Sequence, residues 1–308
     1  MAMQGLEEMA RAYKELDREK RRLQVGGRKR RIQRFLHRLR RRQYGDILRG
    51  LESRRRGVDR LIAREDDPAE AWIYDPDRYC SNERIAVYMA CMGNYDALNE
   101  PVVFPDNVDY YLITDMPAAA SGMGQAVKVV DAAEAVPAEF ADDPVKANRW
   151  CKMHPHILFP DHEISIYVDS NLWIVSDLTA LTHTMKDFPM AMFRHKNRDC
   201  VYDEITACII KKKDTEESLR RHEDKLRALG IPAHLGLVEA PVLVRRHHDS
   251  ACIRLMNSWW EAFLAGCRRD QIAMIEALWR CGLSPETLGT LGNDVLSCDL
   301  LIRADHLK

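Results

Sequence analysis

From residue 82 onward, apolar segments alternate with amphipathic helical segments, and this alternation constrains the fold more than any other feature of the sequence. The first segment, 84–91 (RIAVYMAC), lacks the polar alternation of a half-exposed strand, which is typical of a strand covered on both faces. Further strands are predicted at 110–114, 125–130, 165–168 and 241–244. Helices are predicted at 144–154, in a pair over 203–229, and in a second pair over 251–282. Strands separated by helices predict an α/β sheet.

A separate, strongly basic segment precedes this region. Residues 1–64 contain 21 Lys and Arg against 8 Asp and Glu, a net charge of +13, whereas residues 65–308 contain 25 against 39, a net charge of −14. Apolar residues at heptad spacing before Gly26-Gly27, and a second amphipathic stretch after it, predict an α-helical hairpin with a short coiled-coil seam. We therefore expect a basic helical arm and linker over 1–79 and an α/β domain over 80–308.

Composition narrows the class and the compartment. With 46% hydrophobic residues, the chain is too apolar to be disordered, and no apolar run approaches the roughly 18–20 residues of a membrane span. The first residues lack the basic start and apolar core of a signal peptide. Nine cysteines without a C-x-x-C pair indicate free thiols in a reducing compartment. We expect a cytoplasmic protein, peripheral to a membrane if the basic arm holds it there.

Polar residues directly follow the predicted strand at 165–168. The sequence Asp169-Ser-Asn171 offers carboxylate and amide oxygens, which suit Mg²⁺ or Mn²⁺. Ligands of open α/β sheets gather beyond the carboxyl ends of the strands. Asp169 and Asn171 are therefore candidate metal ligands, and the alternative is a turn that merely ends the strand.

Basic residues recur along the predicted helix at 144–154. Lys146, Arg149 and Lys152 lie three apart and share roughly one helix face. Such a face can hold a diphosphate, because Arg offers a planar fork and Lys a point charge. A solvated helix face is the alternative. No G-x-G-x-x-G, Walker or G-x-S-x-G motif is present to indicate another class of site.

Two histidines and an acidic helix start complete the candidates. His195 and His247 each follow a predicted strand, although a lone histidine is more often structural. Asp270 and Gln271 precede an apolar helix, where the carboxylate either caps the helix or faces a cleft.

Seven short motifs occur in one order between residues 83 and 280, and together they resemble the plant TOD/MUCI-type glycosyltransferase-like family and its bacterial relatives. The motifs are 87–96 (VYMACMGNYD), 111–115 (YLITD), 149–160 (RWCKMHPHILFP), 165–169 (SIYVD), 193–195 (FRH), 244–247 (VRRH) and 269–271 (RDQ).

The resemblance implies a GT-A-like fold, a Rossmann-type domain that binds a nucleotide sugar at its strand ends, here preceded by the basic helical hairpin. It implies a glycosyltransferase that uses a nucleotide-sugar donor, with a UDP-sugar expected first, and leaves the acceptor open. The donor-binding residues that it implies are Asn94, Tyr95, Asp115, Lys146, Arg149, Lys152 and His195. The metal-facing residues that it implies are Asp169, Asn171 and His247.

The chemistry implied is metal-assisted sugar transfer. The usual D-x-D motif is here Asp169-Ser-Asn171, and the amide attracts a dication less strongly than a carboxylate does; Mn²⁺ or Mg²⁺ is still the expected cofactor. If transfer inverts the anomeric centre, a carboxylate must accept the acceptor's proton, with Asp270 the first choice and Glu239 the second. If transfer retains it, Asp270 and Gln271 position the sugar.

Two other functions stay open. A plant member of the family is described as an alkaline ceramidase, so a metal-dependent amide hydrolase is one alternative, with Asp169, His195 and His247 as ligands, although no H-E-x-x-H spacing supports zinc. The second is a non-catalytic protein that binds through residues 1–64. The basic arm suits an anionic membrane surface, an acidic partner or self-association, and nucleic acid is disfavoured but stays open.

Overall fold

A computed structural model describes residues 83–93, 96, 98–120 and 122–303. The basic arm, its predicted hairpin and coiled-coil seam, and the boundary at residue 79 lie outside the described residues. The candidate donor residues Asn94 and Tyr95 lie outside them as well.

The described residues contain a large open sheet and a two-stranded one. The strands are β1 (Ile85–Cys91), β2 (Val108–Thr114), β3 (Val127–Asp131), β4 (Ile164–Val168), β5 (Leu172–Ile174), β6 (Met190–Arg194), β7 (Val238–Arg245), β8 (Gly289–Thr290) and β9 (Leu301–Arg303). Seven of them form one sheet in the order β3-β2-β1-β4-β7-β6-β8, and β5 pairs with β9. In the large sheet β7 runs antiparallel to both neighbours, and the other pairs are parallel.

The helices cover the sheet and connect its strands. They are α1 (Ala132–Ala135), α2 (Ala138–Ala141), α3 (Pro144–Met153), α4 (Pro155–Leu158), α5 (Val201–Ile210), α6 (Glu216–Ala228), α7 (Ser250–Ala265) and α8 (Asp270–Arg280). Short 3₁₀ turns occur at Pro117–Ala120, Thr179–Thr184, Pro285–Thr287 and Val295–Ser297. None of the helices in this part of the chain is long and apolar enough to span a bilayer.

The unbroken apolar character of the strands reflects burial on both faces of the sheet. Every residue of β1 is buried: Tyr88 and Ala90 belong to the core shared with α3, α7 and α8, whereas Val87 and Met89 belong to the core on the opposite face. The α/β class predicted from the strands and helices is therefore confirmed.

The strand order defines where a ligand can enter. β2 and β3 lie on one side of β1, and β4 lies on its other side. Connections that leave in opposite directions open a crevice at the carboxyl ends of the two central strands. The candidate residues Asp169 and Asn171 follow β4 directly and so lie at this crevice.

Candidate active site

A cleft of about 230 Å³ opens at the carboxyl end of β4. Its walls come from α3, the turn after β4, the first half of β7, the start of α8, and β9. The cationic side chains that line it are Arg149, Lys152, Arg269 and Arg303. The carboxylates and amides that line it are Asp169, Glu239, Asp270, Asn171 and Gln271. Most of the polar residues predicted from sequence are thus brought together.

Asp270 lies between two cations at the inner end of the cleft. Its Oδ2 is 3.0 Å from the Lys152 ammonium and 3.1 Å from Arg149 Nε, and the residue is only 5% exposed. Burial alone would raise the pKa of Asp270, but Arg149, Lys152 and Arg269 outweigh it and hold that pKa well below its usual range. Asp270 is therefore a firmly ionised carboxylate.

Lys152 joins this pair to the turn after β4. Its ammonium lies 3.5 Å from Asp169 Oδ1 and 4.9 Å from the centre of the Tyr167 ring, and the residue is 1% exposed. The alternative of a solvated helix face is wrong for Lys152. Lys146, six residues earlier on α3, is not among the cleft-lining residues.

Two buried residues fix the end of α3. The Arg245 guanidinium donates to the Lys152 carbonyl oxygen at 2.6 Å and to the Tyr88 hydroxyl at 2.7 Å. The Tyr88 hydroxyl donates in turn to the Cys151 carbonyl oxygen at 3.1 Å. A buried cation at the last carbonyls of a helix offsets the negative end of the helix dipole. These contacts set the position from which Lys152 reaches the cleft.

Arg269 and Arg303 form no ion pair with any of the described residues. Arg269 donates from Nη2 to Gln271 Oε1 at 3.3 Å. Gln271 also donates from Nε2 to the Val238 carbonyl oxygen at 3.3 Å. Sequence reasoning left both arginines out of the site. Arg269 lies in the RDQ motif, whereas Arg303 reaches the cleft only because β9 pairs with β5.

Glu239 forms no ion pair with a Lys or Arg side chain of the described residues. Burial raises the pKa of Glu239 above its usual range; His195 opposes this shift and Asp294 adds to it. Its Oε1 lies 3.6 Å from His195 Nε2, which is too long for a hydrogen bond.

His195 lies behind Glu239 and does not line the cleft. The backbone N–H groups of Asn197 and Arg198 both donate to its Nδ1 at 3.1 Å, and its Nε2 is 3.5 Å from Glu204 Oε2. Burial raises the pKa of Glu204, but His195 and Arg198 outweigh it and lower that pKa to about 2. The structure thus brings His195 next to the site, in contact with a lining residue.

Asp115 lies at the carboxyl ends of the parallel strands, as the cleft does, but it is not among the cleft-lining residues. It follows β2, and its Oδ2 accepts the backbone N–H of Gly93 at 2.8 Å, which joins the ends of β1 and β2.

His247 lies at the end of the sheet opposite the cleft, beyond the amino-terminal end of β4, because β7 runs antiparallel to β4. In that pairing Val242 lies opposite Val168 and Arg245 lies opposite Ser165. Arg245, the last residue of β7, is about 10 Å along the strand direction from Val242, which is level with Val168, and His247 follows two residues after Arg245. Its Nε2 contacts the Phe159 carbonyl oxygen at 3.0 Å. The expectation that His247 shares a metal ion with Asp169 and Asn171 does not agree with this arrangement.

The donor set at the cleft does not fit a divalent cation well. Mg²⁺ and Mn²⁺ favour several hard oxygen ligands, whereas the 169–171 turn offers one carboxylate and one amide, and the Lys152 ammonium already lies against that carboxylate. Within the described part of the chain, no three His, Cys, Asp or Glu side chains are placed to hold a metal ion. The ligands of the hydrolase alternative, Asp169, His195 and His247, are likewise not brought together, because His195 and His247 lie at opposite ends of the strands.

Comparison with known families decides the class. The model of the TOD1/MUCI70, glycosyltransferase-like domain matches residues 73–288, well over half of the chain. The chain belongs to this family. The match includes every cleft-lining residue except Val295 and Arg303, so the TOD1/MUCI70 domain carries nearly the whole site.

Three of the solved structures that resemble the chain are glycosyltransferases. WbbM, a bifunctional glycosyltransferase, has a TM-score of 0.36 and 11% identity over 64% of this chain and 38% of its own. The galactosyltransferase LgtC, bound to donor and acceptor sugar analogs, has 0.37 and 14% over 67% and 72%. Mouse xyloside xylosyltransferase 1 has 0.39 and 11% over 68% and 85%. A search of curated proteins gave no significant match.

These likenesses are too loose to assign a substrate. The chain spans less than two-fifths of the WbbM chain. The open, mostly parallel α/β sheet agrees in class with the GT-A-like fold that the sequence motifs implied.

Proposed function

We propose that this TOD1/MUCI70-family chain is a glycosyltransferase that moves a sugar from a nucleotide-sugar donor to an acceptor hydroxyl. One observation carries the proposal: four cationic side chains and Glu239 line a single cleft at the carboxyl end of β4. The cationic side chains suit a diphosphate leaving group, and the Glu239 carboxylate can accept the proton of an acceptor hydroxyl.

Arg269 and Arg303 are the first candidates to bind the donor diphosphate, because both line the cleft and neither forms an ion pair with a carboxylate among the described residues. Guanidinium groups form paired hydrogen bonds with phosphate oxygens. Arg149 and Lys152 stand behind them, held in position by Asp270. Fixed positive groups that face the departing diphosphate stabilise the negative charge that develops on it.

Glu239, rather than Asp270, is the proposed general base. A base works best when its pKa lies near the working pH; the pKa of Glu239 is raised and that of Asp270 is strongly lowered. In the transfer step the acceptor oxygen bonds to the anomeric carbon, and its proton passes to Glu239. The bond between the anomeric carbon and the diphosphate oxygen breaks, and its electron pair leaves with the nucleoside diphosphate.

Asp270 and Gln271 then act by position. Asp270 orients Lys152 and Arg149, and the Gln271 side chain, fixed on the Val238 carbonyl oxygen, borders the space for the donor sugar. A UDP-sugar is the first donor class to test. That residues 1–64 bind an anionic membrane or a second copy of the chain stays a prediction. Either partner would determine where the enzyme meets its acceptor.

The first test is isothermal titration of UDP and GDP into the full chain, followed by a screen of nucleotide-sugar hydrolysis. Saturable binding of a nucleoside diphosphate and slow release of sugar to water are expected. If folded protein binds no nucleotide and releases no sugar, the proposal is wrong.

Glu239→Gln tests the base. We expect kcat to fall by about 10²–10⁴-fold, the usual contribution of general base catalysis, with little change in nucleotide affinity. In the unaltered chain, kcat should fall as the pH drops through the raised pKa of Glu239, and the residual activity of Glu239→Gln should lack that decline. Glu261→Gln, an exposed position on α7, is the control and should retain full activity. An equal kcat in both variants would exclude Glu239 as the base.

A further inference from the structure

The Lys152 ammonium occupies the position between the two acidic residues that border the inner cleft. It is 3.5 Å from Asp169 Oδ1 and 3.0 Å from Asp270 Oδ2, and only 1% of Lys152 is exposed. Asp169 belongs to the turn after β4 and Asp270 begins α8. One ammonium therefore bridges the carboxylates of two elements that are distant in sequence.

This ammonium is held rigidly. Burying an isolated ammonium is strongly unfavourable, and here two carboxylates and the Tyr167 ring, 4.9 Å away, offset that cost. The backbone of Lys152 is fixed by Arg245, whose guanidinium donates to its carbonyl oxygen. A cation held in this way is part of the folded site, and no exchangeable ion is needed to place the charge.

A divalent cation at Asp169 would lie beside this ammonium and be repelled by it. The turn offers Asn171 where a second carboxylate would be expected, and the Asp270 carboxylate already binds Arg149 and Lys152. The cleft is lined by four cationic side chains and three carboxylates, so its charge already favours an anion.

We propose that Lys152 permanently supplies the positive charge that a divalent cation would otherwise place between Asp169 and the donor diphosphate, so that donor binding and sugar transfer do not depend on a divalent metal. This inference rests on the proposed function and defines how the same site binds its donor.

Nucleotide affinity with and without metal tests the inference on the unaltered full chain. UDP and GDP are titrated calorimetrically into protein dialysed against EDTA, and again with Mn²⁺ present. We expect dissociation constants that agree within about twofold, less than 0.5 kcal/mol in binding free energy. Binding that appears only with Mn²⁺, or becomes more than about tenfold tighter with it, overturns the inference and leaves the proposed function standing. Absence of binding in both conditions overturns the proposed function, and the inference with it.

Lys152→Met removes the charge and keeps most of the stem. In EDTA we expect UDP to bind at least about tenfold more weakly, and Mn²⁺ to restore part of the loss, because Asp169 and Asp270 would then face each other without an ammonium between them. Unchanged affinity in EDTA would contradict the role of Lys152. Lys225→Met is the matched control, since that ammonium also pairs with a buried carboxylate, Glu276, at 2.8 Å, but lies outside the cleft lining.

Binding of Mn²⁺ alone, followed by electron paramagnetic resonance, gives a readout that needs neither nucleotide nor turnover. The unaltered chain should leave Mn²⁺ free, and Lys152→Met should bind it. Tight Mn²⁺ binding by the unaltered chain that Asp169→Asn abolishes would overturn the inference. If Lys152→Met does not fold, the EDTA and Mn²⁺ measurements on the unaltered chain still decide the question.

Discussion

Helix α8 carries two buried carboxylates in charged clusters, and the two clusters differ in what surrounds them. Asp270, its first residue, pairs with Arg149 and Lys152 at the cleft. Glu276, in its middle, pairs with His222, Lys225 and Arg280 at 2.7–2.8 Å. Both carboxylates have lowered pKa values although burial opposes the shift. By burial, charge pairing and pKa direction alone the two clusters look alike.

The surroundings separate them. Glu276 is fully buried and does not border the cleft, so its ion pairs stabilise the fold and do not face a ligand site. Asp270 borders a cleft that also contains Arg269 and Arg303, which form no ion pair among the described residues. Perturbed ionisable groups often mark functional sites, but structural ion pairs perturb them too. Here the open cleft lined by four cationic side chains distinguishes the Asp270 cluster from the Glu276 cluster.

The Glu276 cluster also has the outline of a catalytic triad. His222 contacts Glu276 through Nε2 at 2.8 Å and the Cys267 sulfur through Nδ1 at 3.2 Å. Cys267 is completely buried, and burial raises the pKa of its thiol to about 11. A nucleophilic cysteine needs an accessible thiolate, so this cluster is structural.

The largest expected difference between the clusters is catalytic. Asp270→Asn removes the carboxylate that orients Lys152 and Arg149, and we expect kcat/KM to fall by about 10²–10³-fold, the usual loss when one preorganised electrostatic group is removed. Glu276→Gln should keep kcat/KM within about twofold of the unaltered chain. Steady-state kinetics of both variants measure these losses. Equal losses of kcat/KM would show that the two clusters do not differ in catalytic role.

The second prediction concerns the stability that the Glu276 cluster contributes. Glu276→Gln leaves His222 buried without its acid, and we expect the free energy of unfolding to fall by about 2 kcal/mol, below the 3–5 kcal/mol of a fully buried pair, because Lys225 and Arg280 are partly exposed. Chemical denaturation measures it. The control, Glu217→Gln, removes an exposed helix pair worth less than about 0.5 kcal/mol. A change equal to that of the control would show that the Glu276 cluster contributes nothing.

The arginines sharpen the comparison at the level of binding. Arg269→Gln and Arg303→Gln should each weaken UDP about tenfold, close to 1.4 kcal/mol, because each loses a charge that faces the cleft. Arg280→Gln, on the same helix but paired with Glu276, should bind UDP as the unaltered chain does. Calorimetry decides, and equal affinity of all three variants would contradict the assignment of the diphosphate site.

The smallest effect is on the pH dependence of stability. Because the folded pKa of Glu276 is lowered, its contribution is complete above the unfolded value of about 4.3 and is lost as the pH falls through the folded pKa. The stability difference between the unaltered chain and Glu276→Gln should narrow as the pH falls below about pH 4. A difference that grew as the pH fell would show that the pKa shift has the opposite sign.

Much of the site could be predicted because its residues lie in local patterns. Asp169 and Asn171 follow a buried strand, Arg149 and Lys152 lie one turn apart on a helix, and Asp270 begins another helix. Each pattern is set by neighbours in sequence, through strand burial or helical spacing. Arg303 has no such signal, since only the pairing of β9 with β5 brings it to the cleft.

His247 and Glu239 lie near opposite ends of β7, and the direction of that strand decides which of the two lies at the site. Both belong to or follow β7, and a sequence does not state the direction in which a strand enters a sheet. Because β7 runs antiparallel to β4, its first half borders the cleft and its last residues lie at the opposite end of the strands. The same reversal therefore places Glu239 in the site and removes His247 from it.

The sequence by itself determined an α/β domain of the TOD1/MUCI70 family, because apolar strand segments, helical periodicity and motif order are local properties. The tertiary structure alone decided that Lys152 is buried between Asp169 and Asp270, that Arg269 and Arg303 line the cleft without an ion pair among the described residues, and that burial raises the pKa of Glu239 while nearby cations, against burial, lower that of Asp270. These properties depend on burial and on charges far apart in the chain; Lys152 and Asp270 are 118 residues apart. Only the packing of α3, β4 and α8 around one cleft brings such groups within a few ångströms of each other.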